Sequence, residues 1–243
     1  MTYLTRTDWG AAPAVKTLPV SRSLKGVCLH WMGFPIHTDP ATIVASIQRA
    51  HTSPPRSWWD IAYNELVALD GTVVEGRGLL HRSDAQGGTR NNRDYVALGL
   101  LIGPGQLPTA DMVAAVQQRV ALVRYFQPQA TAIVGHEQLK PTQCPGPDVM
   151  ALLRAGAFEP GGVQLSAEIV APEHPEPTGL VRRGDRGDDV RWVQHHLARH
   201  GFKIVVDGDF GRKSERATRS FQRHSGLVVD GVVGKRTRTA LAR

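Results

Sequence analysis

Cysteine, aromatic residues and long apolar runs are all scarce in this chain. Its 243 residues include two cysteines, Cys28 and Cys144, and 6% aromatic residues. Two cysteines form one disulfide at most, which excludes a small scaffold held by a disulfide framework. No apolar run approaches the roughly 20 residues that span a bilayer, so we expect no membrane insertion. Residues 1–10 lack the charged, apolar and cleavage regions of a secretory signal, so we expect synthesis in the cytoplasm without a signal peptide.

Acidic residues are outnumbered, and the excess of basic residues lies in one part of the chain. Residues 1–160 carry a net charge of +2, residues 161–179 carry −3, and residues 180–243 carry +8. A C-terminal segment this basic is expected to lie near a polyanion. Nucleic acid, a membrane surface and an anionic wall polymer all meet that description, and charge alone does not choose among them.

Proline, glycine and glutamate divide the chain into two domains. Residues 159–162 and 171–177 are rich in these residues and have too little apolar surface to pack. They predict a stiff, extended linker over residues 159–179. The predicted domains are therefore residues 1–158 and residues 180–243.

Short apolar runs alternate with helical patterns in the first domain. Asp70-Gly71 predicts a hairpin turn, and Thr109 predicts the N-cap of a helix. The predicted strands are 26–31, 63–69, 72–75, 96–102 and 130–134, and the predicted helices are 39–51, a segment from 109 to 123, and 148–154. This alternation predicts an α/β fold with a central, mostly mixed β-sheet flanked by helices.

The second domain contains an internal repeat. Val206–Ser214 and Val229–Thr237 share an Asp-Gly pair suited to a tight turn and a Ser or Thr suited to a helix N-cap. A further helix is predicted over residues 188–200, so we expect a small helical module. The His195-His196 pair on that helix is expected at the surface.

The strongest chemical signal is a His and a Cys in one loop. His136 and Cys144 follow the apolar run 130–134, and His30 lies near the end of another apolar run far upstream. Two imidazoles and a thiolate are ligands that zinc takes, and three protein ligands leave the open position of a catalytic site. A disulfide between the two cysteines is an alternative, although we favour Cys28 as a buried free thiol. Taken alone, His30 is more typical of a buried core histidine than of a ligand.

Several further motifs occur in order along the chain. They are Arg6–Ala11, Leu29–Trp31, His51, Trp59–Asn64, Glu75–Gly78 and His136–Gly146 in the first domain, and Arg183–Val190, Val206–Gly208, Phe221-Gln222 and Val229–Gly234 in the second. With these motifs, residues 3–156 resemble the zinc-dependent N-acetylmuramoyl-L-alanine amidases of the peptidoglycan-recognition and phage-lysozyme type. Residues 180–241 resemble the peptidoglycan-binding domain built on three helices, which implies a small all-α three-helix C-terminal domain.

The resemblance implies a metal site and a reaction. In this family one zinc ion per chain is held by two His and one Cys, which correspond to His30, His136 and Cys144. A catalytic role is implied for Tyr63 and for Thr142, which stands where members have Lys or Thr. Some relatives carry a catalytic Glu on the strand that corresponds to residues 96–102, where this chain has no acid. The implied reaction is hydrolysis of the amide between N-acetylmuramic acid and L-alanine in bacterial peptidoglycan by a zinc-activated water.

An amidase joined to a wall-binding module resembles a bacteriophage endolysin, made in the host cytoplasm and acting on the bacterial cell wall. The resemblance implies that the chain binds peptidoglycan through both domains. We expect a monomer, and no binding of nucleic acid, because residues 180–243 lack nucleic-acid recognition motifs. Two alternatives stay open, namely a peptidoglycan-binding protein without catalytic activity and a cellular autolysin of the same chemistry. Two roles stay open for His51, a structural hydrogen bond or contact with substrate. Two roles also stay open for Trp58 and Trp59, which either form the wall of a groove or simply pack in the core.

Overall fold

The computed structural model describes residues 2–21, 23–161, 176–200, 202, 204 and 206–242. The chain divides into two compact units, Met1–Leu165 and Ser166–Arg243. Residues 162–175, the larger part of the predicted linker, lie outside the described residues. The linker limits 159–179 therefore stay a prediction.

A six-stranded mixed sheet forms the centre of the first unit. Its strands are β1 (Tyr3–Leu4), β2 (Gly26–Trp31), β3 (Glu65–Val67), β4 (Val73–Glu75), β5 (Tyr95–Leu100) and β6 (Ala132–Gly135), in the order β1-β4-β3-β5-β2-β6. β3 and β4 pair antiparallel, and the other neighbours pair parallel. β2 and β5 are buried along almost their whole length, as expected for parallel strands covered on both faces. The predicted α/β class with a mixed sheet is confirmed.

The predicted hairpin is present, but its first strand is shorter than expected. Gly71 in the connecting turn has a φ of 78°, which glycine adopts without strain. The predicted strand 63–69 is reduced to β3, because the Asn64 carbonyl bonds N–H groups of the loop that follows β4 instead of a neighbouring strand. Tyr63 therefore lies in a loop before the strand.

Helices flank this sheet, as predicted. They are α1 (Pro40–Thr52), α2 (Thr89–Asp94), α3 (Ala110–Phe126) and α4 (Pro147–Arg154). The Asp39 carboxylate caps α1 and the Thr109 hydroxyl caps α3, each by accepting an N–H of the first turn. The sequence pattern predicts neither β1, which has two residues, nor α2, which has no apolar periodicity. Within the described part of the chain, no helix is long and apolar enough to cross a membrane.

The second unit is a three-helix domain, as expected. Its helices are α5 (Asp188–Arg199), α6 (Arg212–His224) and α7 (Lys235–Leu241). Its core includes Trp192, Phe210 and Phe221. The expectation that His195 and His196 lie at the surface is wrong, since they are 3% and 4% exposed. They are buried because α5 packs against both α6 and α7.

The internal repeat is built on two buried glutamines. The side chain of Gln194 on α5 accepts backbone N–H groups of the first Asp-Gly turn and donates to the Asp207 carboxylate. The side chain of Gln222 on α6 accepts an N–H of the second turn and donates to the Asp230 carboxylate. The repeat unit therefore consists of a helix together with the turn that follows it.

Candidate metal centre

Three side chains from distant parts of the sequence meet at one edge of the sheet. His30 is the fifth residue of β2, His136 follows directly after β6, and Cys144 lies in the loop before α4. Because β2 and β6 are parallel neighbours, their carboxyl ends lie at the same edge. The ligand atoms of the three side chains all lie within 4.8 Å of one another. The structure thus brings together the ligands that the sequence predicts.

One distance in this cluster, between His30 and Cys144, suits a tetrahedral metal ion. His30 Nδ1 lies 3.6 Å from Cys144 Sγ, and the ring centroids of His30 and His136 are 4.5 Å apart. With zinc bonds of about 2.05 Å to nitrogen and about 2.3 Å to sulfur, a tetrahedral angle separates two such ligand atoms by about 3.6 Å. The Trp31 N–H donates to the same sulfur at 3.4 Å, which holds it in place.

The cluster contains buried nitrogen atoms that no described residue satisfies. His30 is 1% exposed, and its Nε2 atom has no hydrogen-bond partner among the described residues. The Nε2 atom of His136 is likewise buried without a partner there, while its ring bonds the backbone of Gln86. A buried polar atom without a partner destabilises a fold, so the Nε2 atom of His136 fits a metal ligand. For His30 the nitrogen that faces Cys144 is Nδ1, so its Nε2 atom does not bear on the metal.

Burial governs the protonation of all three groups. It lowers the pKa of His30 well below its ordinary value, with the neighbouring His136 adding to the effect, and it also lowers the pKa of His136. Burial raises the pKa of the Cys144 thiol to about 11, against the opposing effect of the Trp31 N–H. Neutral imidazole is the form that binds metal, and a bound cation reverses the preference of the thiol because coordination deprotonates it.

Cys28 lies outside this group of donors. It is fully buried in β2, and both cysteines are free. The favoured interpretation of Cys28 as a buried free thiol is confirmed, and the disulfide alternative is wrong for this structure.

Tyr63 lies against the cluster. Its ring centroid is 5.5 Å from that of His30, in an edge-on arrangement. Gly99 of β5 leaves room for this ring, since a Cβ there would lie 3.3 Å from it. The Tyr63 hydroxyl makes no hydrogen bond to a described residue, and burial raises its pKa, so it keeps its proton as a donor.

Thr142 lies on the same loop as Cys144 and is exposed. Its hydroxyl oxygen accepts the Cys144 N–H at 3.3 Å. This contact is typical of a threonine that caps a turn, and it leaves the hydroxyl proton available to another acceptor. The catalytic role of Thr142 stays a prediction.

Several residues that shape the site are not found by sequence reasoning. Trp31 and Gln86 contact the ligands through their backbone, which leaves no mark on side-chain patterns. Gly146 has a φ of 89°, and a Cβ there would lie 2.6 Å from the Trp31 ring. A glycine two residues after the candidate ligand Cys144 is the sequence signal that could have indicated this close packing.

A row of aromatic rings extends from the cluster toward solvent. The Tyr63 ring contacts His51, and His51 contacts Trp58, at centroid distances of 5.9 and 4.8 Å. His51 Nδ1 accepts the Ala62 N–H at 3.1 Å. The structural hydrogen bond, one of the two roles left open for His51, is therefore present.

A cleft lies at the end of this row. Its volume is about 410 Å³, and its lining includes Trp58, Trp59, Arg82 and the Gly87-Gly88 pair. The two tryptophans are 38% and 37% exposed, so they form a groove wall rather than part of the core. Lys140, from the ligand loop, reaches the same wall, because a Cβ on Gly87 would lie 3.1 Å from its Nζ.

Residues 186–241 match the family model of a putative peptidoglycan binding domain. This segment contains α5, α6 and α7. The match supports a wall-binding assignment for the second unit and covers no part of the metal centre.

The first unit is similar to curated amidases and to solved peptidoglycan recognition proteins. An N-acetylmuramoyl-L-alanine amidase from Sus scrofa is 35% identical over 161 residues, which is 61% of this chain and 26% of that protein. The chain thus spans about a quarter of that relative. The Drosophila PGRP-LB structure matches with a TM-score of 0.57 and 23% identity over 67% of this chain and 98% of its own.

A second solved structure contains a ligand. Peptidoglycan recognition protein LE, in complex with tracheal cytotoxin (monomeric diaminopimelic acid-type peptidoglycan), matches with a TM-score of 0.56 and 25% identity, over 63% of this chain and 93% of its own. The first unit therefore has the fold of the peptidoglycan recognition proteins, its homologues include a named amidase, and a putative peptidoglycan-binding domain follows it in the chain.

Proposed function

We propose that this chain is a zinc-dependent N-acetylmuramoyl-L-alanine amidase with one zinc ion held by His30, His136 and Cys144. The observation that carries the proposal is the group of three donors within 4.8 Å of one another, in which His136 has a buried Nε2 atom that no described residue satisfies. When bound, zinc supplies a nucleophile from water at neutral pH and polarises the scissile carbonyl.

Tyr63 and Thr142 supply hydroxyl donors for the negative charge that develops on the carbonyl oxygen. The Tyr63 ring lies edge-on to His30, and its hydroxyl has no acceptor among the described residues. The Thr142 oxygen already accepts the Cys144 N–H, so its own proton is free to be donated. Removing one donor of this kind typically lowers the rate by about 10²–10³.

The cleft beside the cluster suits a substrate with sugar and peptide parts. Exposed tryptophan rings pack against apolar faces, and polar groups at fixed positions orient a ligand. Trp58 and Trp59 provide the first feature, while Arg82 and Lys140 provide cations at the groove. We propose that muramyl peptide lies along this cleft with its scissile amide at the three donors.

The second unit is proposed to hold the enzyme on peptidoglycan, in line with the family model that it matches. The biological setting that we propose is phage lysis, in which a monomeric enzyme is made in a bacterial host and attacks the wall of that host. A cellular autolysin would use the same chemistry. Genes for membrane lysis and phage tails beside the gene for this chain would support the phage setting, and a set of cellular wall genes would contradict it.

The two cysteines provide the test of the activity. The full chain, Cys144→Ala and Cys28→Ala are assayed for bound zinc and for new L-alanine amino termini released from purified wall. The parent chain and Cys28→Ala should bind one zinc ion and release stem peptides, because Cys28 is no ligand. Cys144→Ala should lose both properties. A zinc-loaded parent chain that binds wall and frees no amino termini would refute the amidase and indicate the binding protein.

A further inference from the structure

Helix α6 exposes a row of arginines on the side opposite its packed face. Arg212, Arg216 and Arg223 are exposed, and spacings of four and seven residues place them within about 40° of one another around the helix. The buried side chains of α6, among them Thr218 and Phe221, lie on the other side. We call these three exposed residues the arginine stripe.

The charge of the arginine stripe is not neutralised by the described residues. None of its three guanidinium groups pairs with a described carboxylate. Glu215, the acid within α6, pairs instead with Arg219 at 3.3 Å and with Arg183 at 3.6 Å. The stripe also lies in the segment 180–243, whose net charge is +8. A strong positive potential therefore remains on this face.

The shape of the arginine stripe indicates an extended anion. From Arg212 to Arg223 the helix rises about 16 Å. A guanidinium group donates two parallel hydrogen bonds to a phosphate, so a straight row of such groups matches phosphates repeated along a chain. A single compact anion could contact Arg212 and Arg216, which lie one turn apart, but would leave Arg223 unused.

Two observations favour a wall polymer over nucleic acid. Proteins that bind single-stranded nucleic acid stack bases on exposed aromatic rings. In this unit Trp192, Phe210 and Phe221 are 3%, 0% and 4% exposed, so these rings are not available for stacking. The same unit matches a peptidoglycan-binding model, so its expected surroundings are the cell wall.

We propose that the arginine stripe binds a poly(alditol phosphate), a phosphodiester polymer attached to peptidoglycan. This gives the second unit a second ligand, recognised by charge and spacing and distinct from the glycan and peptide of the wall itself. This proposal rests on the proposed function in one respect only, namely that the chain acts at the cell wall, where it would meet the polymer.

The test uses the full chain and two triple variants that lose the same charge. The stripe variant carries Arg212→Gln, Arg216→Gln and Arg223→Gln, and the control carries Lys213→Gln, Lys235→Gln and Arg236→Gln. All six positions are exposed, and glutamine keeps a helix propensity similar to that of lysine and arginine. Thermal melting of both variants establishes that the domain remains folded.

Binding is measured with purified poly(glycerol phosphate) at several salt concentrations. The stripe variant should bind at least about tenfold more weakly, which is the loss expected from a single charge-assisted contact. Its plot of log affinity against log salt should become shallower by about 2, because each phosphate that an arginine neutralises contributes about 0.7 to the slope. The control should stay within about threefold of the parent chain, since its substitutions lie outside the stripe.

Equal weakening of the two variants would overturn the proposal, because it would show a response to net charge alone. A parent chain that binds poly(dT), or vesicles of equal parts phosphatidylglycerol and phosphatidylcholine, but not poly(glycerol phosphate) would overturn it as well. Release of amino termini from wall stripped of the polymer is measured in parallel. That release reports on the amidase and not on the stripe, so failure of either proposal is recognised separately.

Discussion

Replacing Tyr63 by phenylalanine removes one hydroxyl group beside the metal cluster and leaves the ring in place. The ring keeps its contacts with His30 and with the backbone at Gly99. The missing hydroxyl makes no hydrogen bond to a described residue, so the free energy of unfolding should change by less than about 1 kcal/mol. The zinc content should also be unchanged, because all three donors remain.

The catalytic effect of Tyr63→Phe should be much larger than its effect on stability. Burial raises the pKa of the phenol, so at neutral pH the group is a hydrogen-bond donor. Loss of one donor to a developing oxyanion raises the barrier by about 2.7–4 kcal/mol, which lowers kcat by about 10²–10³. KM should change far less, because the donor acts on charge that exists only in the transition state.

The assay measures zinc content, melting temperature, kcat and KM on a soluble muramyl peptide. Tyr125→Phe is the matched control, because it removes the same atom from an exposed side chain of α3. An unchanged kcat in zinc-loaded Tyr63→Phe would remove Tyr63 from the mechanism. Loss of zinc from this variant would instead show that the phenol supports the ligands.

Two further predictions concern pH and domain structure. Burial, with the charges of Arg56 and Arg77, lowers the pKa of His51 to about 4. An unfolded histidine titrates near pH 6.5, so stability should fall as pH drops from about 6.5 toward 4, where the unfolded chain binds more protons. The free energy of unfolding is measured by urea titration at several pH values. In His51→Asn, whose amide oxygen can still accept the Ala62 N–H, this free energy should fall less steeply with decreasing pH than in the parent chain. Parallel pH curves for the two proteins would contradict this. A chain ending at Leu165 should cleave soluble fragments at the parental rate and intact wall more slowly, whereas equal rates on wall would exclude targeting by the second unit.

The candidate metal donors could be predicted because each rests on a local signal. His30 and His136 each lie at the end of a short apolar run, and parallel strands bring such ends to one edge of a sheet. Backbone partners could not be predicted in this way. Any residue type except proline can place an N–H where Trp31 does, so only the fold reveals that this group contacts Cys144.

Burial of polar side chains was the other weakness of sequence reasoning. The composition of α5 indicates a solvated helix, yet its His195-His196 pair is buried between neighbours. A domain of this size has few layers, so the helix that contacts both others is buried along its middle, although Asp188 and Asp189 at its start are exposed. The repeat is likewise visible in the sequence through its turns alone, although Gln194 and Gln222 on the preceding helices hold those turns.

These two glutamines allow a comparison of equivalent sites within one domain. Replacing either by leucine keeps the volume of the side chain but leaves buried groups of the adjoining turn without a partner, at about 1–3 kcal/mol for each group. Gln194 accepts N–H groups from both Asp207 and Gly208, whereas for Gln222 one such bond is present, from Gly231. Gln194→Leu should therefore destabilise the domain more than Gln222→Leu, measured by hydrogen exchange of the α5 and α6 amides.

The control for this comparison is Gln117→Leu in the first unit, whose side chain bonds the Ala157 carbonyl and should leave exchange in α5 and α6 unchanged. Equal loss of protection in the two repeat variants would contradict the assigned difference of one hydrogen bond. No loss in either would mean that the Asp-Gly turns keep their form without the glutamines. In that case the repeat would be a property of the turns, and the preceding helices would be joined to them by apolar packing alone.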